Sequence, residues 1–187
     1  FAHRGVSSEA PENTMAAFRQ AMEDGADWIE LDVQETADGE VVVFHDSDFM
    51  RAAGVGTKIW EATMADLQRI DIGSWFSPAF ASERVPTLAA VLDACKGKVG
   101  VVIELKYYGH DQQLEERVAG LVDARGMGSQ IAVMSLELDQ VRKMKSLRPG
   151  WTVGLLLSVS AGNLHASGAD FLAVNAAFAN RRFVRSA

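Results

Sequence analysis

Sulfur chemistry is all but absent from this chain: a single cysteine, Cys95, excludes an internal disulfide and a thiolate metal cluster. Cys95 falls in line with Leu88, Val91 and Leu92 on one helical stripe, where it reads as a core residue. Long apolar runs are missing too. The longest, Val99 to Ile103 and the segment around Leu155 to Leu157, are far shorter than the roughly 20 residues a membrane helix needs. No secretory signal opens the sequence. Basic residues are the minority, 18 against 25 acidic ones, and the net charge of −7 argues against a polyanion such as nucleic acid as partner. An anionic ligand would need a local cation. There is also no glycine-rich phosphate loop of the dinucleotide-binding or Walker kind.

What is present suits one cored domain spanning residues 1–187: the length is too small for two typical domains, and 48% of residues are hydrophobic. The densest chemistry lies in WIELDVQETADGEVVVFHD, Trp28 to Asp46. Apolar residues flank Asp38-Gly39, a pair suited to a two-residue primed turn, so the stretch reads as a β-hairpin. With that turn, Gln34 falls opposite Val43 and Asp32 opposite His45, and opposed residues share a face. Glu30 shares it as well, by the period-two alternation of a strand. The expectation is one cluster of Glu30, Asp32 and His45.

The rest of the chain alternates strands and helices. A strand ends at Phe1 to His3. Asn13 is the expected N-cap of a helix carrying Met15, Phe18 and Met22, stopped by Gly25. After the hairpin, residues 46–84 form an insertion rich in aromatics (Phe49, Trp60, Trp75, Phe76, Phe80), with one short helical candidate after Thr63. It should cover a lobe of core on the strand C-terminal side. A helix from Thr87 to Cys95 precedes the strand KVGVVIELK, whose nearly continuous apolar character suits a parallel strand buried on both faces. Then come a helix using Leu114, Val118, Leu121 and Val122, a strand at 131–135, a helix with Leu138, Val141 and Met144, strands at 151–157 and 171–175, and a last helical stretch from near Ala179.

This order implies an α/β fold with a parallel sheet and right-handed crossovers. A closed eight-stranded barrel and an open doubly wound sheet both satisfy it. His3-Arg4, Glu30-x-Asp32, Glu104-x-Lys106, Ser135 and Asn175 all lie at strand C-terminal ends, where barrel enzymes collect their catalytic groups. That favours the barrel.

HRG at 3–5, PENT at 11–14, GADWIELDVQETADGEVVVFHD at 25–46, PTL at 86–88 and IELK at 103–106 together resemble the glycerophosphodiester phosphodiesterase family, in its order and spacing. The resemblance implies a (β/α)8 barrel of the phospholipase-C-like phosphodiesterase type, hydrolysing glycerophosphodiesters to glycerol phosphate and an alcohol. It further implies Glu30, Asp32 and Glu104 as ligands of one divalent cation, His3 and His45 as acid and base, Arg4 and Lys106 on the substrate phosphate, and Glu12 in support. The chemistry is consistent with these roles. Hard oxygen ligands suit Mg²⁺ or Ca²⁺, not zinc. Imidazoles titrate near neutral pH, and cations hold non-bridging phosphate oxygens. YYGHD after Lys106 and FLAVN at 171–175 resemble the branch attached to a membrane domain. The location itself stays open, a cytoplasmic or membrane-attached domain being favoured over a secreted one.

Bland readings weigh against each piece alone. A strand-end His is often a satisfied polar residue, Glu-x-Asp a solvated edge, Glu-x-Lys a surface ion pair. Charged groups at the same end of successive buried strands are harder to attribute to solvation. The alternative function is a catalytically weak barrel that binds phosphodiester or phospholipid head groups. A metal-independent phospholipase is disfavoured because the carboxylate trio has no use there. His110 and Tyr107-Tyr108 could touch substrate or merely shape a loop, and His165 reads as structural or exposed. The pattern yields only six parallel strands, so the expectation is a barrel truncated at both ends, a fragment with open edges where chains could self-associate.

Overall fold

A computed structural model describes residues 1–110, 112–157 and 167–175. His165 and the stretch from Ala179 lie outside them. The elements in chain order are β1 (Ala2–His3), α1 (Met15–Glu23), β2 (Trp28–Glu35), β3 (Val41–Val43), β4 (Asp48–Phe49), α2 (Met50–Ala53), β5 (Val55–Lys58), α3 (Met64–Leu67), α4 (Leu88–Cys95), β6 (Gly100–Leu105), α5 (Leu114–Asp123), β7 (Ile131–Ser135), α6 (Leu138–Leu147), β8 (Thr152–Leu157) and β9 (Phe171–Val174). Strands β1, β2, β6, β7, β8 and β9 pair in that order, all parallel, and β3 adds antiparallel to β2. The sheet curls into a half-barrel of the expected α/β type, and among the described residues β1 and β9 are its edges.

Strand alternation divides the side chains into two layers. Ile29, Leu31 and Val33 of β2, with Val101, Ile103 and Leu105 of β6, pack outward on Phe18, Leu88, Leu92 and Val118 of the helices. Cys95 is in that layer, fully buried as its stripe implied. On the concave side Val102, Ala132 and Met134 make an apolar floor against Phe171 and Ala173. Glu30, Asp32 and Glu104 share this inner face, so their burial follows from the same alternation that builds the core.

Three local expectations need correction. Asn13 does not cap α1; Thr14 does, its hydroxyl accepting the Ala17 N–H. The hairpin register is also shifted by one residue, with Gln34 opposite Val42 and Val33 opposite Val43. The loop holds three residues, not two: Thr36 and Glu40 close it, the Thr36 hydroxyl bonds Asp38, and Gly39 sits at φ +82°. A three-residue hairpin with a left-handed third position is a common alternative to the primed turn. The insertion is more ordered than one helix after Thr63. That helix is α3, with a Thr63–Asp66 capping box, but β4, α2 and β5 accompany it around a core of Phe44, Phe49, Ile59, Leu67 and Ile72. The lobe lies at the C-terminal side of the sheet, where Trp60 stacks on His110 with centroids 4.2 Å apart.

Candidate active site

Parallel register alone aligns the polar strand ends: His3 neighbours Glu30, and Asp32 neighbours Glu104. One oxygen each from Glu30, Asp32 and Glu104 lie within 4.8 Å of one another, and all three side chains are buried. Anions so close and so poorly solvated favour protonation or a cation. Burial, then the charges of Asp32 and Glu104, push Glu30 up to about 8. Burial raises Glu104 too, against the pull of Lys106. Lys106 Nζ lies 3.1 Å from Asp32 Oδ1 and 2.5 Å from Glu104 Oε1.

Glu30 is left least satisfied. Its Oε2 accepts the Arg4 N–H at 3.1 Å, while Oε1 is buried with no hydrogen-bond partner. An orphaned buried oxygen is uncommon. With three hard donors converging beside a cleft of about 660 Å³, it fits a small divalent cation, which Glu30, Asp32 and Glu104 could hold.

Both histidines reach this centre. His3 Nε2 is 3.6 Å from Glu30 Oε2, and burial, followed by the Arg4 charge, lowers its pKa. His45 Nδ1 lies 2.7 Å from Asp46 Oδ1, which leaves Nε2 to face a recess of about 230 Å³ shared with Glu104, Lys106, Tyr108 and Ser135. Alternation did not place His45. The β2–β3 ladder ends at Val43, Phe44 N–H bonds Asp32 O, and the chain then turns with its Phe44 and Asp46 carbonyls accepting from Gln34 Nε2. Tyr108 Oη donates to the His45 carbonyl at 2.7 Å. Tyr108 therefore shapes the loop that carries His45, and His110 is occupied by Trp60.

Arg4 adopts φ +57°, which turns its N–H to Glu30 while the guanidinium meets Asp32 Oδ2 at 3.1 Å and Glu12 Oε1 at 3.0 Å. Gly5 follows at φ +79°, and a Cβ there would come within 2.7 Å of the Ala17 backbone. Only glycine lets this loop lie on α1.

A family model, that of the glycerophosphoryl diester phosphodiesterases, matches residues 3–187. The chain belongs to that family. It is 41% identical over 165 residues to the YhdW protein of Bacillus subtilis, covering 87% of this chain and 67% of the relative. A glycerophosphodiester phosphodiesterase of Caldanaerobacter subterraneus is 37% identical over 161 residues, covering 83% and 65%. The chain thus spans about two thirds of these relatives. Among solved structures, a glycerophosphodiester phosphodiesterase from Agrobacterium tumefaciens superposes with a TM-score of 0.83 at 31% identity, over 99% of this chain and 80% of that one. A phosphodiesterase from Oleispira antarctica, in complex with the product sn-glycerol-3-phosphate, gives 0.86 at 28% identity, over 98% and 77%. The half-barrel matches most of these phosphodiesterase barrels.

Four residues around the centre escaped the reading of single motifs. Asn13, 1% exposed and at φ +55°, donates from Nδ2 to Asp32 Oδ2 at 2.8 Å and orients that carboxylate. Gln34 continues the Glu30-x-Asp32 alternation, so a polar residue on a buried face was the available signal. Asp46 and Arg51 follow the strand end. Burial would raise the Asp46 carboxyl, but hydrogen bonds from Arg51 and His45 outweigh it and hold it below the usual range.

Proposed function

We propose that this chain hydrolyses glycerophosphodiesters to glycerol phosphate and an alcohol. One observation carries the reading: His3 lies beside the buried Glu30, Asp32 and Glu104 cluster on a cleft that Glu30 and Glu104 line, and His45 lines a recess that shares Glu104 and Lys106 with that cleft. Cleavage needs a nucleophilic water deprotonated and the leaving alkoxide protonated, and His3 and His45 divide those two transfers. Arg4 and Lys106, now turned to the carboxylates, line the cleft from which they reach a phosphate. Glu12 supports Arg4 from behind. Glu30, Asp32 and Glu104 would hold a divalent cation, Mg²⁺ or Ca²⁺ by the hardness of the donors, which would supply charge neutralisation at the phosphate. Support comes also from the relatives named for this activity and from the product-bound Oleispira structure.

The test is turnover of a small panel of glycerophosphodiesters, glycerophosphocholine among them, with and without chelator. Glycerol phosphate should form, stop in excess chelator and resume with Mg²⁺ or Ca²⁺. Head-group binding without product would establish the weaker binding barrel instead. Full turnover in chelator would remove the cation from the reading.

A further inference from the structure

The insertion reaches into the site through one side chain. Arg51 of α2 sets Nη2 2.6 Å from Glu12 Oε1 and Nε 2.7 Å from Asp46 Oδ2. The other ends of these two carboxyl groups' contacts are the groups that meet substrate. Glu12 Oε1 also accepts from Arg4 at 3.0 Å, and Asp46 Oδ1 is 2.7 Å from His45 Nδ1. The Trp75 ring lies under the guanidinium, 5.8 Å from centroid to Cζ. One planar fork therefore joins the loop carrying Glu12 directly to the loop carrying His45.

We propose that Arg51 is a positioning residue: by bridging Glu12 and Asp46 it fixes the tautomer and ring orientation of His45 and the pose of Arg4. This rests on the hydrolytic reading of the same cleft. An exposed ion pair contributes little to stability, and Arg51 is 45% exposed, so its role is orientation more than energy. The fork geometry matters because a guanidinium spans two carboxylates at fixed angles, whereas an ammonium is a point charge. His45 is the more sensitive partner. An imidazole whose Nδ1–H is held by a carboxylate keeps Nε2 aimed and in one tautomer; for metal-bound histidines, losing such an outer partner costs about 10- to 100-fold, and freeing Asp46 from Arg51 is expected to cost His45 on the same order.

The experiment uses the whole chain and compares Arg51→Ala and Arg51→Lys with Lys58→Gln, which removes a different ion pair of the insertion, to Asp48. Turnover of glycerophosphocholine should fall about 10- to 100-fold in both Arg51 variants and stay near wild type in Lys58→Gln. Free guanidinium, well below unfolding concentrations, should restore part of the loss in Arg51→Ala. Nitrogen NMR of the His45 ring should show the Nδ1–H form in wild type and a mixture in the variants. Near-wild-type turnover in Arg51→Ala, an equal loss in Lys58→Gln, or unchanged His45 resonances would each overturn the proposal. If Arg51→Ala fails to fold, Arg51→Lys carries the comparison. If the wild type itself turns nothing over, the hydrolytic reading fails, and the His45 resonances alone still decide whether Arg51 governs that ring.

Discussion

His45→Ala and Glu30→Gln separate proton transfer from metal holding. His45 contributes a ring nitrogen to the recess and bonds no carboxylate of the triad, so its removal should lower kcat by about 10²- to 10⁴-fold while calorimetric binding of Mg²⁺ or Ca²⁺ is retained. Glu30→Gln should do the reverse, weakening cation binding first. Equal loss of cation affinity in both variants would refute the division of roles. Asn13 offers a second test. Asn13→Ala removes a donor from the fully buried Asp32 and should destabilise the fold by about 1 to 3 kcal/mol in urea titrations. Because Asn13 sits at φ +55°, Asn13→Gly should be the milder variant, having no Cβ to strain. The reverse order would show that the backbone conformation is unimportant. The acidic trio and His3 were legible as residue types at strand ends, whereas His45 was reached through a hairpin register that is off by one residue. Asn13 was not, because its sequence position before a helix fits an N-cap equally well, and only the fold shows that Thr14 takes that role.

Elements show why local rules succeeded unevenly. Strands β2, β6 and β7 and helices α4 and α5 lie where hydrophobic patterning put them, since the strands are buried on both faces and each helix buries one continuous face. The hairpin failed by one residue because Asp38-Gly39 satisfies a two-residue turn in sequence, while the Thr36 hydroxyl recruits Asp38 and widens the loop to three. A one-residue slip inverts every side chain of a strand, and β3 shows it: Val41 and Val43 join the helix layer, whereas Val42 and Phe44 join the core of the insertion. His45 reaches the cleft all the same, because it lies past the ladder and is set by Gln34 and Asp46. Arg51 was illegible for the same reason: no strand or helix period relates it to His45. Loop glycines make the element-scale prediction. Gly5 and Gly39 both have positive φ, so alanine costs about 1 kcal/mol or more at either. A Cβ at Gly5 meets the Ala17 backbone, which cannot move away; at Gly39 it meets the Arg117 guanidinium, the far end of a long side chain that can shift at the expense of its ion pair with Glu35. Gly5→Ala should be the more destabilising in thermal melts, and the opposite ranking would mean that the loop before α1 is loosely held.

At the scale of the whole molecule, folding without a cation forces three carboxylates into one buried pocket of a protein already carrying a net charge of −7. Glu30 titrates near 4.5 when solvated and is pushed up to about 8 in the fold, by burial and then by Asp32 and Glu104. Between those values the folded state holds a proton that the unfolded chain has released. Stability then falls as pH rises, since the slope follows protons bound by the unfolded state minus those bound by the folded. The contribution is fully present below the unfolded value and is spent once pH passes the folded one. A cation held by the triad inverts the balance: it favours the ionised form, displaces the proton, and stabilises the state that binds it. Melting temperatures in chelator should therefore fall from pH 5.5 to pH 8, and the rise on adding Mg²⁺ or Ca²⁺ should be greater at pH 8 than at pH 5.5, with protons released on binding at the lower pH. A cation effect independent of pH, or the same rise in Glu30→Gln, would mean that the ion binds somewhere other than the floor of this half-barrel.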